Sequence, residues 1–261
     1  MASQHTVFLM YHELELKDRK PVQSDPGYTR YVLPLETFRQ QMEWLKGNGI
    51  QGLSVGEGIL YSQKPSVCIT FDDGCETDLM AAAPVLKHFG FGATFYLAAG
   101  FLSTPGYLNP DQVRELHGMG FEIGCHSMTH PYLSDLSDLE LRREIVDAKL
   151  KIEQVLEHPV EHFSCPGGRY NSRALEVARR AGYRTVANSR FHANSAATSL
   201  YELGRVAMLR DMTLAHFGAT CRGEGLWKRR LQDSARHGVR HVLGNRAYDR
   251  LRASLLREES R

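Results

Sequence analysis

Short apolar runs separated by stretches of helical spacing recur along the whole chain, and this alternation constrains the fold more than any other feature. Residues 7–11, 66–71, 93–98, 121–125, 162–165 and 183–187 read as buried strands, and 203–208 as a seventh. Between them lie helical stretches. In residues 34–45, Leu35, Phe38, Met42 and Leu45 fall on one helical face, and Gly47-Asn48-Gly49 gives the stop. Residues 77–89 close at Gly90, and Asn109-Pro110-Asp111 opens a helix in capping style that ends near Gly118. Residues 139–156 and 172–181 complete the set. The stretch 17–31 is polar, with Pro21, Pro26 and Gly27, and reads as a loop. Strands alternating with helices imply a mostly parallel sheet, and six or seven such units point to an α/β barrel, incomplete if need be, rather than an open sheet. At 261 residues the chain is long enough to fill one. The expected organisation is a barrel over residues 1–210 and a helical extension over 211–261, with helices at about 214–236 and 248–256, packed on the same domain.

Composition narrows the partners. A formal net charge of +2 sets up no strong field for nucleic acid or acidic membranes. The stretch 227–261 is locally rich in Arg, from Arg229 to Arg257, and offers either a solvated helix face or a weak membrane-surface contact. No segment is apolar for the roughly 18 residues that a membrane span needs. The N-terminus has no basic region followed by a long apolar core, so no secretory signal is read there. The five cysteines, Cys68, Cys75, Cys125, Cys165 and Cys221, are odd in number and lack CxxC spacing, which speaks against a disulfide framework or a cysteine metal site. The expected location is the cytoplasm, where thiols stay reduced.

Three strand ends carry chemistry. Thr70-Phe71-Asp72-Asp73-Gly74 follows an apolar run, and side chains alternate along a strand. The two carboxylates therefore point apart, and one can bind a metal while the other faces a water. The same residues would also serve as a turn or a helix cap. His126-Ser127-Met128-Thr129-His130 follows the fourth run, and histidines four apart on a helical turn can share an ion. Pro131 limits that turn to a short one. An Asp and two His give three ligands with an open position for water, the pattern of a catalytic rather than a structural metal. Phe163-Ser164-Cys165-Pro166-Gly167-Gly168-Arg169-Tyr170-Asn171 ends the fifth run, and its glycines let backbone approach a ligand or form an oxyanion hole. It reads equally well as a tight turn before a helix capped by Asn171.

In this order the three motifs resemble those of the polysaccharide deacetylases, the NodB-homology carbohydrate esterases. The opening Leu9-Met10-Tyr11-His12-Glu13 also occurs in one branch of that family. The resemblance runs over about residues 5 to 210. It implies a distorted (β/α)₇-type barrel, a metal held by Asp73, His126 and His130, Asp72 as general base and the Gly167 N–H as oxyanion donor. Zinc is the expected ion, with cobalt, nickel and manganese as substitutes. Pro166, Gly167, Gly168, Arg169 and Tyr170 become the expected substrate contacts. Two departures stand out. The Arg that many members carry before the proline of the third motif, orienting the base, is absent: Ser164 and Cys165 stand there. Arg169 or Arg205 is left to replace it. The family's late Leu-x-His motif is matched only loosely by Leu214-Ala215-His216. His12, at the end of the first strand, is instead the expected general acid, charged if the two aspartates outweigh the metal.

The activity implied is metal-dependent removal of an N-acyl group, foremost acetyl, from an amino sugar in a glycan, a lipid-linked sugar or a small saccharide. An O-acetyl esterase or a non-sugar amidase would use the same site. A metal- or glycan-binding pseudoenzyme is the reading from a different class, and the absent Arg is its support. With only Trp44 and Trp227 as tryptophans, a platform for a long glycan is not evident.

Overall fold

The apolar runs form strands because each is buried on both faces, as in an α/β sheet covered by helices. The computed structural model describes residues 5–60 and 64–226. The described strands are β1 (Val7–Tyr11), β2 (Leu14–Glu15), β3 (Leu33–Pro34), β4 (Gln51–Leu53), β5 (Ser66–Phe71), β6 (Thr94–Leu97), β7 (Glu122–Cys125), β8 (His162–Ser164), β9 (Thr185–Ala187) and β10 (Val206–Ala207). β2 and β3 pair with each other, and the rest form one parallel sheet in the order β10-β1-β5-β6-β7-β8-β9, with β4 beside β5. Leu203 bridges to Ala187 of β9, and Val206 pairs with Leu9 of β1, so the segment entering β10 joins the two ends of the sheet. The result is the distorted (β/α)₇-type barrel. Its distortion lies at β5, whose lower half pairs with β4 and whose upper half pairs with β6 along the same edge.

Strand parity sorts the side chains. Val7, Leu9, Tyr11, Val67, Ile69 and Phe71 join the large core under the helices, whereas Phe8, Cys68, Tyr96, Ala187 and Leu203 make a separate cluster, the barrel interior. Gly124 belongs to the interior row of β7, where a Cβ would stand 2.4 Å from the Tyr96 ring; only a glycine lets that ring fill the interior. One layer below, Glu122 accepts from Gly56 N at 3.0 Å and from Thr94 Oγ1 and lies 3.3 Å from His162, forming a polar plug at the strand starts. One layer above lie Thr70, Ser164 and Arg205, and then Asp72. The two-residue step along each strand thus carries the chain from apolar filling to the mouth.

Several expectations are corrected. β4 was not anticipated: it is three residues long and centred on Gly52, where a Cβ would come within 2.6 Å of Ile69. Close packing requires that glycine, and glycine hides the strand pattern. The loop 17–31 contains a helical turn, Pro26–Thr29, capped by Asp25. The helix expected over 77–89 opens with a π-turn, Asp78–Ala82, and the one over 139–156 contains another, Arg143–Asp147. Of the helix expected over 214–236, the described part is Leu214–Cys221, interrupted where Gly223 and Gly225 take φ of 75° and 69° in the left-handed region, and residues 227–236 lie outside the described residues. Its Phe217 packs edge-on against Trp44, with ring centroids 5.8 Å apart, so this part of the extension sits on the barrel. The Arg-rich stretch and the helix at 248–256 lie outside the described residues. Among the described residues, no helix is long and apolar enough to cross a membrane. All five cysteines are buried and free of disulfides.

Candidate active site

Asp72 continues the interior row of Cys68 and Thr70. Asp73 does not follow the alternation: its φ of 80° turns it out of the strand, and Gly74 at φ 80° continues the bend. A left-handed aspartate is an uncommon conformation, found where surrounding contacts enforce it. The next motif is built the same way. His126 leaves β7, and Ser127 and His130 take φ of 68° and 61°. The two histidines are therefore not on a helical turn, as their spacing implied, but on a loop with two left-handed residues. Glu144 holds that loop: its carboxylate accepts from Met128 N at 2.9 Å, Thr129 N at 2.8 Å and Thr129 Oγ1 at 2.7 Å. It comes from the π-turn Arg143–Asp147, and inserted turns of this kind recur at functional sites.

These bends bring one atom each of Asp73, His126 and His130 within 4.8 Å of one another. Asp73 Oδ1 lies 3.6 Å from His126 Nε2 and 3.5 Å from His130 Nε2. His126 Nδ1 donates to the Ser164 carbonyl at 2.8 Å, so its Nε2 turns a lone pair toward Asp73 Oδ1 and, at 3.6 Å, Asp72 Oδ2. Burial pushes the His126 pKa down to about 4, against the upward pull of Asp72 and Asp73, so the ring is neutral at pH 7. Asp73 Oδ1 is buried and accepts no hydrogen bond. Lone pairs converging without a proton between them are the arrangement that a divalent cation relieves, and a His oriented through its other nitrogen is the usual metal-ligand geometry. One Asp and two His suit zinc and its neighbours.

Asp72 has a different partner. Arg205 grips it with two hydrogen bonds, Nη1 to Oδ1 and Nη2 to Oδ2, both 2.7 Å. The same guanidinium donates to Ser164 Oγ at 2.7 Å, Thr70 Oγ1 at 3.1 Å and, through Nε, the Asn188 carbonyl at 3.1 Å. Arg205 is wholly buried, and the Tyr96 ring lies 5.3 Å beneath it. Burial alone would raise the Asp72 pKa. The Arg205 charge, then His126 and the Arg205 hydrogen bonds, outweigh it and hold the carboxyl well below the usual carboxylate range. Of the two candidates for the absent arginine, Arg205 is therefore the one on Asp72. Arg169 instead lies 3.8 Å over the Tyr132 ring. The sequence signal for Arg205 was a lone charge in the apolar run 203–208, since a buried guanidinium requires a buried anion.

The remaining residues sit around this centre. His12 continues the interior row of Phe8 and Met10 and lies against Tyr31, with ring centroids 4.8 Å apart and the planes tilted by 39°. Burial pushes the His12 pKa down, and Asp73 and Asp72 pull it up by less. His216 is exposed in the first turn of Leu214–Cys221. The third motif forms a tight turn, Pro166–Gly168, with Gly167 at φ 58° and Asn171 capping the next helix. The turn's own bonds run from Gly168 N to Cys165 O and from Arg169 N to Pro166 O, leaving the exposed Gly167 N–H outside them. Tyr170 donates its hydroxyl to Glu202 at 3.0 Å.

Comparison with known proteins agrees with this architecture. A family model described as polysaccharide deacetylase matches residues 61–186. A Bacillus subtilis (strain 168) protein named as a polysaccharide deacetylase, YxkH, is 32% identical over 193 residues, 72% of this chain and 69% of that protein. The peptidoglycan-N-acetylglucosamine deacetylase of Bacillus cereus is 36% identical over 121 residues, 46% of this chain and 54% of its own length. The solved Streptococcus pyogenes deacetylase PplD, in complex with acetate, superposes with a TM-score of 0.74 at 25% identity, covering 84% of this chain and 99% of that one. The chain belongs to the polysaccharide deacetylase family.

Proposed function

We propose that this protein is a metal-dependent hydrolase that removes the N-acetyl group from an amino sugar in a saccharide. The observation that carries the reading is the pairing of two unlike carboxylates. Asp73 offers an unpartnered oxygen beside two histidines, and Asp72, ionised and held by Arg205, lies 3.6 Å from the same His126 nitrogen. Asp73, His126 and His130 would hold the ion, with zinc the proposed one. The chemistry supplied by a divalent ion bound there is charge, which polarises an acyl oxygen and acidifies a water. Asp72 takes the proton of an attacking water as the water oxygen adds to the acyl carbon. A carboxyl held so low is ionised at any working pH, so Arg205 contributes orientation rather than basicity. The Gly167 N–H donates to the developing oxyanion. His12, neutral at rest, takes up a solvent proton as substrate binds and delivers it to the departing sugar nitrogen, and Asp72 afterwards returns the water's proton to solvent. The products are a carboxylate and a free amine.

The family relatives named for peptidoglycan and chitooligosaccharide deacetylation support a sugar amide over an O-acetyl ester. The pseudoenzyme reading loses its support once Arg205 occupies the place at Asp72. Five buried thiols without a disulfide support the cytoplasm as the proposed location. The test couples metal analysis to acetate release from a panel of N- and O-acetylated sugars. Asp73→Ala, His126→Ala and His130→Ala should each lose the metal and the activity while staying folded. Asp72→Asn should keep the metal and lose about 10²–10⁴-fold in kcat. Full metal occupancy in the three alanine variants, or loss of metal in Asp72→Asn alone, refutes the assignment.

A further inference from the structure

Most arginines around the mouth already have an acidic partner. Arg205 holds Asp72, Arg19 pairs with Glu13 and Glu76, Arg190 lies 3.7 Å from Glu202, and Arg210 pairs with Glu15 at 2.8 Å. Arg30 differs. Among the described residues its guanidinium makes no ion pair, and its Nε is buried without a hydrogen-bond partner. The backbone beneath it is fixed: Arg30 caps the turn Pro26–Thr29, and its carbonyl accepts from Arg210 N at 2.9 Å. Its guanidinium lies 5.6 Å over the Tyr31 ring, and the Tyr31 ring in turn meets that of His12 at a tilt, with centroids 4.8 Å apart. Arg30 is half-buried, with its Nε out of water and facing no acceptor, and its position two ring contacts from the reacting centre is where a substrate group beyond the amide would rest. On the His130 side the neighbour is instead a neutral aromatic, Phe101, with ring centroids 6.4 Å apart.

Resting on the deacetylase reading, we propose that Arg30, stacked on Tyr31, binds an anionic group carried by the substrate, so that the preferred substrate is an acidic amino sugar. Both a phosphate ester and a carboxylate satisfy a planar guanidinium. The experiment separates these sources with three probes: N-acetylglucosamine 1-phosphate, N-acetylmuramic acid and the neutral methyl N-acetylglucosaminide. Acetate release is measured for the wild-type protein and for Arg30→Gln. Binding of the same sugars to metal-loaded Asp72→Asn, with and without Arg30→Gln, is read by calorimetry. The expected result is a preference for one or both acidic sugars that Arg30→Gln lowers about ten- to a hundred-fold in kcat/KM, leaving the neutral sugar unchanged. Equal use of acidic and neutral sugars by wild type, or an equal loss on all three in Arg30→Gln, overturns the inference. If no sugar releases acetate, the deacetylase reading fails and calorimetry decides the subsite alone. Tighter acidic-sugar binding that depends on Arg30 supports it, and its absence overturns it.

Discussion

Replacing Arg205 with methionine keeps much of the side-chain volume over Tyr96 but leaves Asp72 ionised and buried without its cation. Five hydrogen bonds are lost at once: two to Asp72 and one each to Ser164, Thr70 and Asn188. Breaking a buried pair from one side costs about 3–5 kcal/mol. For a domain of this size each kcal/mol moves Tm by roughly 2–4 °C, so a fall of about 6–20 °C is expected by calorimetric melting. The companion variant Asp72→Asn/Arg205→Met removes the orphaned charge and should regain most of that loss, since a pair replaced on both sides is near neutral. The pH dependence gives an independent sign. Without Arg205, burial is left to raise the Asp72 pKa, so the acid limb of kcat/KM moves toward neutral pH in Arg205→Met. A Tm within about 3 °C of wild type, or a double variant no more stable than the single one, would refute the view that Arg205 and Asp72 form one buried unit.

Glu144→Ala removes the three bonds that shape the His126–His130 loop. Metal affinity, measured by chelator competition, should fall about 10–100-fold while the apo protein stays folded; unchanged affinity would show that the loop holds itself. Glu122, in the plug at the strand starts, would be raised by burial, but His162 and the Thr94 and Gly56 donors hold its pKa below the ordinary value. A depressed acid contributes stability that is present above its unfolded pKa of about 4.3 and is lost as pH falls through the folded value. The Tm gap between wild type and Glu122→Gln should therefore be widest near pH 6 and shrink below about pH 4; a gap independent of pH contradicts the assignment. His12→Ala should retain its metal yet lose most of kcat and the alkaline limb of the pH–rate profile, while His216→Ala behaves as wild type; the reverse pattern would give the acid role to His216.

The barrel and the first two motifs were legible in the sequence because both depend on local order. Apolar runs such as 66–71 are buried strands in any α/β setting, and Asp72 follows Cys68 and Thr70 on the interior face by strand alternation alone. That alternation also placed the two aspartates in different environments, although the left-handed turn at Asp73 completes the separation. Local order could not supply the partners. Arg205 is 133 residues from Asp72 and reaches it only because Leu203 and Val206 join β9 to β1. Glu144 meets Thr129 because a π-turn re-aims one face of a long helix, and periodicity does not register one extra residue in a turn. The charge state of His12 likewise depended on how much water the fold excludes, a quantity that a row of residues does not contain. Sequence determined which side chains line each strand; closure of the sheet decided which of them meet, because contact between distant strands is set by the geometry of the ring and not by spacing along the chain.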